Sequence, residues 1–212
     1  MQNAPMESTQ EIAAAAARLV VEEGLEYGPA KRRAHKQMGL PRNAPLPSNE
    51  ELEDEVRDYL ALFCADTQPA ELRALRELAA LWMDRLAEFR PHLCGAVWRG
   101  TATRLSNIHL QLFCDDSKSA EIALINAGVD YEVGETQGPR GPVDLLTVAE
   151  RCKPLNEWVT IALSILDKDD LRGALKPDSR GRTERGDLTA LRRLLQEEAP
   201  PAPLLPAAGD AA

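Results

Sequence analysis

The sequence has few of the features that mark membrane, secreted or metal-stapled proteins. Its four cysteines, Cys64, Cys94, Cys114 and Cys152, are widely spaced and include no Cys-x-x-Cys pair. This spacing argues against a zinc site and against a disulfide framework, and favours buried free thiols. The longest apolar run, AAAAARLVV, is too short to span a membrane, and the N-terminus lacks the basic start and apolar centre of a signal peptide. We therefore expect a cytoplasmic protein without a membrane partner.

Basic residues are also fewer than acidic residues. The chain has 25 lysines and arginines against 34 aspartates and glutamates, which gives a formal net charge of -9. Nucleic acid is itself an anion, so this balance argues against a nucleic-acid partner. The sequence also contains no Walker A loop, no Gly-x-Ser-x-Gly elbow, no His-Glu-x-x-His pair and no Rossmann glycine fingerprint. We therefore do not expect a P-loop kinase or ligase.

The hydrophobic period divides the 212 residues into a helical part and a strand-rich part. Residues 1–90 form the predicted helical region, residues 91–198 a predicted core domain, and residues 199–212 an Ala- and Pro-rich tail that we expect to be poorly ordered. Ser48 and Glu51 match a capping box, S-x-x-E, and predict the start of a helix there. Its apolar residues, Leu52, Val56 and Leu60, follow at four-residue spacing.

After Pro91 the period changes from 3.6 to 2. Strands are predicted over residues 92–98, 108–113, 130–136, 143–149 and 158–166, and helices over residues 116–127 and 188–198. The glycine- and proline-containing stretch 138–142 is predicted to be a mobile loop. This order predicts an α+β fold with a small mixed or antiparallel sheet preceded by the helical region.

The most informative stretch covers residues 95–110 and reads GAVWRGTATRLSNIHL. It contains Gly-Ala, then Arg-Gly-Thr-Ala, then Ser-Asn-Ile-His-Leu, without a gap. This segment resembles the active-site hairpin of the nucleotidyltransferase (DNA polymerase β-like) superfamily, in particular the small bacterial minimal nucleotidyltransferases. Those enzymes carry Gly-Ser, Arg-Gly-x-Ala and Ser-Asp-x-Asp-Leu in one hairpin. The resemblance extends over about residues 91–166, and Asp144 resembles the third carboxylate of a later strand.

The resemblance implies a nucleotidyltransferase fold, but three of its positions have lost the groups that the reaction needs. Nucleotidyl transfer uses two Mg²⁺ ions, and Mg²⁺ prefers anionic oxygen ligands. Two aspartates at i and i+2 of a strand would share one face, whereas this chain has Asn107 and His109 there. Ala96 also lacks the hydroxyl that helps to hold a triphosphate. The sequence therefore predicts a catalytically degenerate protein that acts as a nucleotide- or phosphate-binding or regulatory module.

The residues predicted to bind a nucleotide or phosphate all lie in the segments that resemble the nucleotidyltransferases. They are Gly95, Arg99, Gly100, Thr101, Asn107, His109 and Asp144. A later basic group, Arg180, Arg182 and Arg185, could lie over the same pocket and grip a phosphate. Trp98 lies in the turn that would cradle a nucleotide and could stack on a base.

Two other functions stay open at this point. The first is an active nucleotidyltransferase that uses a single divalent metal held by His109 and Asp144, because imidazole suits zinc-like metals. The second is a scaffold whose N-terminal helices pair with a second copy or another protein through their leucine-rich faces.

Overall fold

The computed structural model describes residues 4–172 and 181–198, with side chains from Thr9 onward. These residues form an α+β fold in which seven α-helices accompany a six-stranded mixed sheet. The predicted fold class is confirmed, whereas the predicted tail, 199–212, lies outside the described residues. Within the described ranges, every helix is too short or too polar to cross a membrane.

Four helices precede the sheet in the chain. They are α1 (Ala4–Glu23), α2 (Tyr27–Gln37), α3 (Asn49–Phe63) and α4 (Gln68–Arg85), and a short 3-10 turn (Ala87–Phe89) follows α4. The Ser48 hydroxyl accepts a hydrogen bond from the Glu51 amide, and the Glu51 carboxylate accepts one from the Ser48 amide. The predicted capping box is therefore confirmed as the start of α3.

The sheet-bearing part alternates strands and short helices. Its elements are β1 (His92–Cys94), α5 (Gly95–Arg99), β2 (Ile108–Cys114), α6 (Lys118–Asn126), β3 (Glu132–Gly138), β4 (Gly141–Cys152), β5 (Glu157–Asp167), a 3-10 turn (Lys168–Leu171), β6 (Arg185–Gly186) and α7 (Leu188–Glu197). The strand order is β3-β4-β5-β2-β1-β6. Only the β2–β5 pair is parallel among the described pairs, so the sheet is mixed.

Two predicted elements differ from the structure. The strand predicted over residues 92–98 stops at Cys94, because Gly95 has a φ of +71° and turns the chain into α5. The loop predicted over residues 138–142 is instead a hairpin turn in which Gly138 pairs with Gly141. In both places glycine allowed a tighter backbone than the residue pattern indicated.

The buried apolar side chains form two separate clusters. The first, the helical core, joins α1, α2 and α3 through residues such as Ile12, Ala30 and Val56. The second, the sheet core, joins α4, α5, α6 and α7 to one face of the sheet. Because α4 contributes Leu75 and Trp82 to the sheet core, the two clusters divide between α3 and α4.

The leucine-rich faces predicted to pair with a partner are used inside the chain. Leu52 and Leu60 of α3 lie in the helical core, and Leu72 and Leu78 of α4 lie in the sheet core. All four side chains are buried. Burial therefore removes these four leucines from a partner surface, whereas Phe63 of α3 stays exposed.

Substitution of Gly186 by alanine is expected to destabilise the fold. A Cβ built on Gly186 lies 2.1 Å from Cη2 of Trp98, so the indole must move. We expect Gly186→Ala to lower the free energy of unfolding by about 1–3 kcal/mol, measured by urea denaturation. The matched control is Gly134→Ala on β3, where the nearest atom to the new Cβ lies 4.0 Å away. A control change larger than that of Gly186→Ala would contradict the packing explanation.

Candidate functional site

An arginine-rich cleft lies between α3, α5 and the segment that leads into β6. It has a volume of about 520 Å³. The side chains that define this arginine cleft are Glu53, Arg57, Arg76, Trp98, Arg99 and Arg182. The lining carries one more positive than negative side chain, in a chain whose formal net charge is -9. Arg76 pairs with Glu198, which lies outside this lining, so the remaining charges of the lining balance by count.

Three guanidinium groups converge on the carboxylate of Glu53. Arg57 donates to Oε1 at 2.9 Å, Arg182 donates to Oε1 at 3.0 Å, and Arg99 donates to Oε2 at 3.1 Å. The Glu53 side chain is 5% exposed, whereas those of Arg57, Arg99 and Arg182 are 40%, 29% and 37% exposed. The carboxylate thus lies behind the arginines, and the arginines face the cleft.

The arginines set the ionisation of Glu53. Burial by itself would raise the pKa of this carboxyl, but the hydrogen bonds from Arg57 and Arg99, with the charges of both, outweigh burial and lower the pKa below its usual value. Glu53 is therefore an anion near neutral pH. Glu50 and Glu184 also line the cleft, so further carboxylates lie near these guanidinium groups.

The walls of the cleft are tied to the sheet core by two further side chains. Arg76 of α4 donates to the carbonyl oxygens of Val97 at 3.0 Å and of Trp98 at 2.9 Å, which are free acceptors at the end of α5. Arg76 also pairs with Glu198 at the end of α7. The indole N–H of Trp98 donates to the Thr183 carbonyl at 2.8 Å. These bonds hold α5 and the 181–186 segment, and with them Arg99 and Arg182, against α4.

Of the residues predicted from the sequence, Gly95 and His109 lie together. A Cβ built on Gly95 would lie 3.5 Å from Cδ2 of His109. Nε2 of His109 is 3.1 Å from Oε1 of Glu26, the residue before α2. The hydrogen bond from His109, together with its charge, lowers the pKa of Glu26 although burial opposes this effect. The imidazole is therefore engaged by a carboxylate from the helical part of the chain.

The thiol that neighbours His109 has a raised pKa. Cys94 on β1 pairs with His109 on β2 in the strand register. Burial raises the pKa of Cys94 to about 11, so the thiol stays protonated near neutral pH.

The other predicted residues have distinct positions. Arg99 lies in the arginine cleft, and Asn107 is exposed just before β2. Gly100 ends α5 with a φ of +83°, and its carbonyl accepts a hydrogen bond from Gln68 at 3.1 Å. Thr101 is buried, and its amide donates to the carbonyl of Ala96. Gly100 and Thr101 therefore shape the turn rather than line the cleft.

Asp144 does not lie near His109, which corrects the predicted metal pair. His109 pairs with Ala162 on β5, and Ala162 pairs with Thr147 on β4, so these three side chains share one sheet face. Asp144 precedes Thr147 by three residues, and side chains alternate along a strand, so it projects from the other face. Its carboxylate is 3.8 Å from Lys118 of α6.

This geometry does not suit the metal chemistry that the resemblance implies. His109 and Asp144 cannot hold one ion from opposite faces of the sheet. Asn107 adds only a neutral carbonyl oxygen, and Mg²⁺ prefers carboxylates. Across residues 4–172 and 181–198, no group of three or more His, Cys, Asp or Glu side chains is arranged to hold a metal ion.

Several cleft residues were missed by the sequence analysis. Glu53 and Arg57 are four residues apart on α3, a spacing that ordinarily indicates a solvated surface pair. Arg76 resembles any other charged residue of α4. The late basic group was a usable sequence signal for this cleft, because Arg182 lies in it. Arg185 donates to Gln111 at 2.5 Å, on the same side of the sheet as His109. Arg180 lies outside the described residues.

The stability of the protein should depend on pH through Glu53. Its pKa is lower in the folded chain than the unfolded value near 4.5, so the unfolded chain binds the proton more readily. The stabilisation is complete above the unfolded pKa and is lost as the pH falls through the folded pKa. We expect Glu53→Gln to lower the free energy of unfolding by about 2–3 kcal/mol near pH 7. The difference from the wild type should shrink between about pH 5 and pH 3 in urea denaturation series.

The charge-matched control for this measurement is Glu132→Gln on the exposed strand β3. It should follow the wild-type pH profile. A difference between wild type and Glu53→Gln that stays constant down to pH 3 would contradict the ionic role of Glu53.

Comparison of the chain with family models, with curated proteins and with solved structures gives no match.

Proposed function

We propose that this protein is a catalytically degenerate relative of the nucleotidyltransferases that binds a phosphate-bearing anion, of the nucleotide class, in the arginine cleft. The observation that carries the proposal is the convergence of Arg57, Arg99 and Arg182 on the single carboxylate of Glu53. Guanidinium groups present planar pairs of N–H donors that match phosphate oxygens. The exposed sides of these three groups supply that recognition.

The order of elements supports the same proposal. β1 and β2 are antiparallel neighbours joined through the short helix α5, and the resembling motif lies along this unit. Gly95 begins α5 beside His109, and Arg99 ends it in the cleft. Both ends of α5 therefore carry residues that the motif marks for nucleotide or phosphate binding. Free thiols at all four cysteines fit the cytoplasmic location that the sequence favours.

The replaced carboxylates support binding without transfer. The two positions that would hold Mg²⁺ carry Asn107, which is exposed, and His109, which is engaged by Glu26. The single-metal alternative requires His109 and Asp144 on one face, and they lie on opposite faces. This arrangement favours the proposed anion binding over nucleotidyl transfer.

Calorimetric titration tests the proposal directly. We expect pyrophosphate and ATP to bind the wild-type protein, with an affinity that falls as salt concentration rises. Arg99→Ala should weaken binding by roughly tenfold or more, because it removes a charged donor worth about 1.5–3 kcal/mol. The matched control is Arg18→Ala on α1, which removes the same charge from a side chain that is 68% exposed and pairs with Glu22.

Equal affinities of the wild type and Arg99→Ala, or no binding of either anion, would contradict the proposal. The catalytic part has its own test. Incubation with labelled ATP, GTP, CTP or UTP and Mg²⁺ or Mn²⁺ should leave no nucleotide attached to the protein. Transfer that depends on His109, and is lost in His109→Ala, would show an active enzyme.

A further inference from the structure

A second cavity opens where the ends of α1 and α3 meet the start of α4 and the turn before β2. Its volume is about 480 Å³, a size that suits a small organic ligand. The side chains that define this aromatic pocket are Glu22, Tyr59, Phe63, Glu71, Arg104 and Leu105. The aromatic pocket and the arginine cleft share no lining residue among the described ones, so they are separate sites.

Large apolar groups of the aromatic pocket are exposed to solvent. Phe63 is 64% exposed and Leu105 is 44% exposed. The rings of Tyr59 and Phe63 lie together, with centroids 4.6 Å apart and planes tilted by 44°. Aromatic side chains in a concave site are typical of ligand pockets. The pocket therefore offers an aromatic ligand a surface that the fold itself leaves uncovered.

Two of the three charged side chains of the pocket have ionic partners outside it. Glu22 accepts a hydrogen bond from Arg18 at 2.9 Å on Oε2, and one from the Tyr59 hydroxyl at 2.6 Å on Oε1. The guanidinium group of Arg104 lies 3.7 Å from the carboxylate of Glu157. The charges of Glu22 and Arg104 are therefore already compensated.

Glu71 carries the third charge of the pocket. Its Oε2 accepts a hydrogen bond from the backbone amide of Arg104 at 2.9 Å, which is a neutral donor. Among the described residues, no cationic side chain pairs with this carboxylate. Glu71 lies in the first turn of α4, where the helix dipole favours an acidic residue. Its Oε1 is therefore available to a donor from a ligand.

An ammonium group in the pocket would meet two kinds of partner. Oε1 of Glu71 would accept a charged hydrogen bond, and the ring faces of Tyr59 and Phe63 would attract the cation. An apolar body attached to the ammonium group would cover Phe63 and Leu105 and remove them from water. An anionic ligand would instead be repelled by Glu71.

We propose that the aromatic pocket binds an organic ammonium ion with an aromatic body, in which Glu71 holds the ammonium group and Phe63 packs on the ring. This site does not depend on the proposed function, because its residues take no part in the arginine cleft. Glu71 selects for a cation, and Phe63 selects for an aromatic body.

Calorimetric titration with three probes tests the chemistry of the ligand. The probes are phenethylammonium, its neutral analogue phenethyl alcohol, and ethylammonium, which lacks the ring. We expect phenethylammonium to bind the wild-type protein at neutral pH. Each of the other two should bind roughly tenfold more weakly or worse, because each lacks one of the two recognised groups.

Substitution of Glu71 tests the charged partner. Glu71→Gln should weaken phenethylammonium binding roughly tenfold, because a neutral amide replaces the carboxylate. The glutamine oxygen can still accept the Arg104 amide, so the turn is retained. The matched control is Glu77→Gln on the same helix, which removes a carboxylate that pairs with Arg73. This control should bind phenethylammonium as the wild type does.

Substitution of Phe63 tests the aromatic partner. Phe63→Ala should weaken phenethylammonium binding about fivefold, because the ring contact is lost. The matched control is Leu62→Ala, which truncates a neighbouring side chain that is 73% exposed and does not line the pocket. Leu62→Ala should bind as the wild type does.

Each outcome bears on the proposal. Binding of phenethylammonium that is weakened in Glu71→Gln and Phe63→Ala, but not in the two controls, supports it. Equal binding of phenethyl alcohol and phenethylammonium would overturn it, as would unchanged binding in Glu71→Gln or Phe63→Ala. Absence of phenethylammonium binding to the wild type would also overturn it, and would leave anion binding in the arginine cleft unaffected.

Discussion

The carboxylate of Glu53 is buried where the two hydrophobic cores of this protein meet, and Arg57, Arg99 and Arg182 all donate to it. A buried carboxylate is costly unless charged donors satisfy it, so the position of α3 is coupled to that of α5 and of the segment before β6. The same arrangement leaves the three guanidinium groups partly exposed toward the cleft. The cluster that links α3 to α5 is therefore also the place where we propose anion binding.

Side chains of the sheet core hold one wall of the cleft in place. Arg76 caps the carbonyls at the end of α5, and Trp98 packs on Gly186 while its indole bonds to Thr183. These contacts position the arginines of the sheet side, whereas Arg57 is positioned by the helical side.

The sheet face that carries His109 offers a different chemistry from that of the enzymes its motif resembles. Glu26 from outside the sheet engages the imidazole, and the neighbouring thiol of Cys94 is held protonated by burial. Asp144 lies on the opposite face. Gly95 and Gly100 take positive φ values at the two ends of α5, while His109 and Asp144 are separated by the sheet.

Local rules determined much of this protein from sequence alone, because the α+β class and the capping box at Ser48 both follow from residue type and spacing. The turn at Gly95 escaped prediction, because a positive φ within an apolar run leaves no periodic signal. Only the tertiary structure decided on which face of the sheet Asp144 lies. The same holds for the cluster of charged side chains formed by Glu53, Arg57, Arg99 and Arg182. Strand pairing and the docking of two cores bring together residues up to 129 positions apart, and spacing along a chain carries no information about such distances.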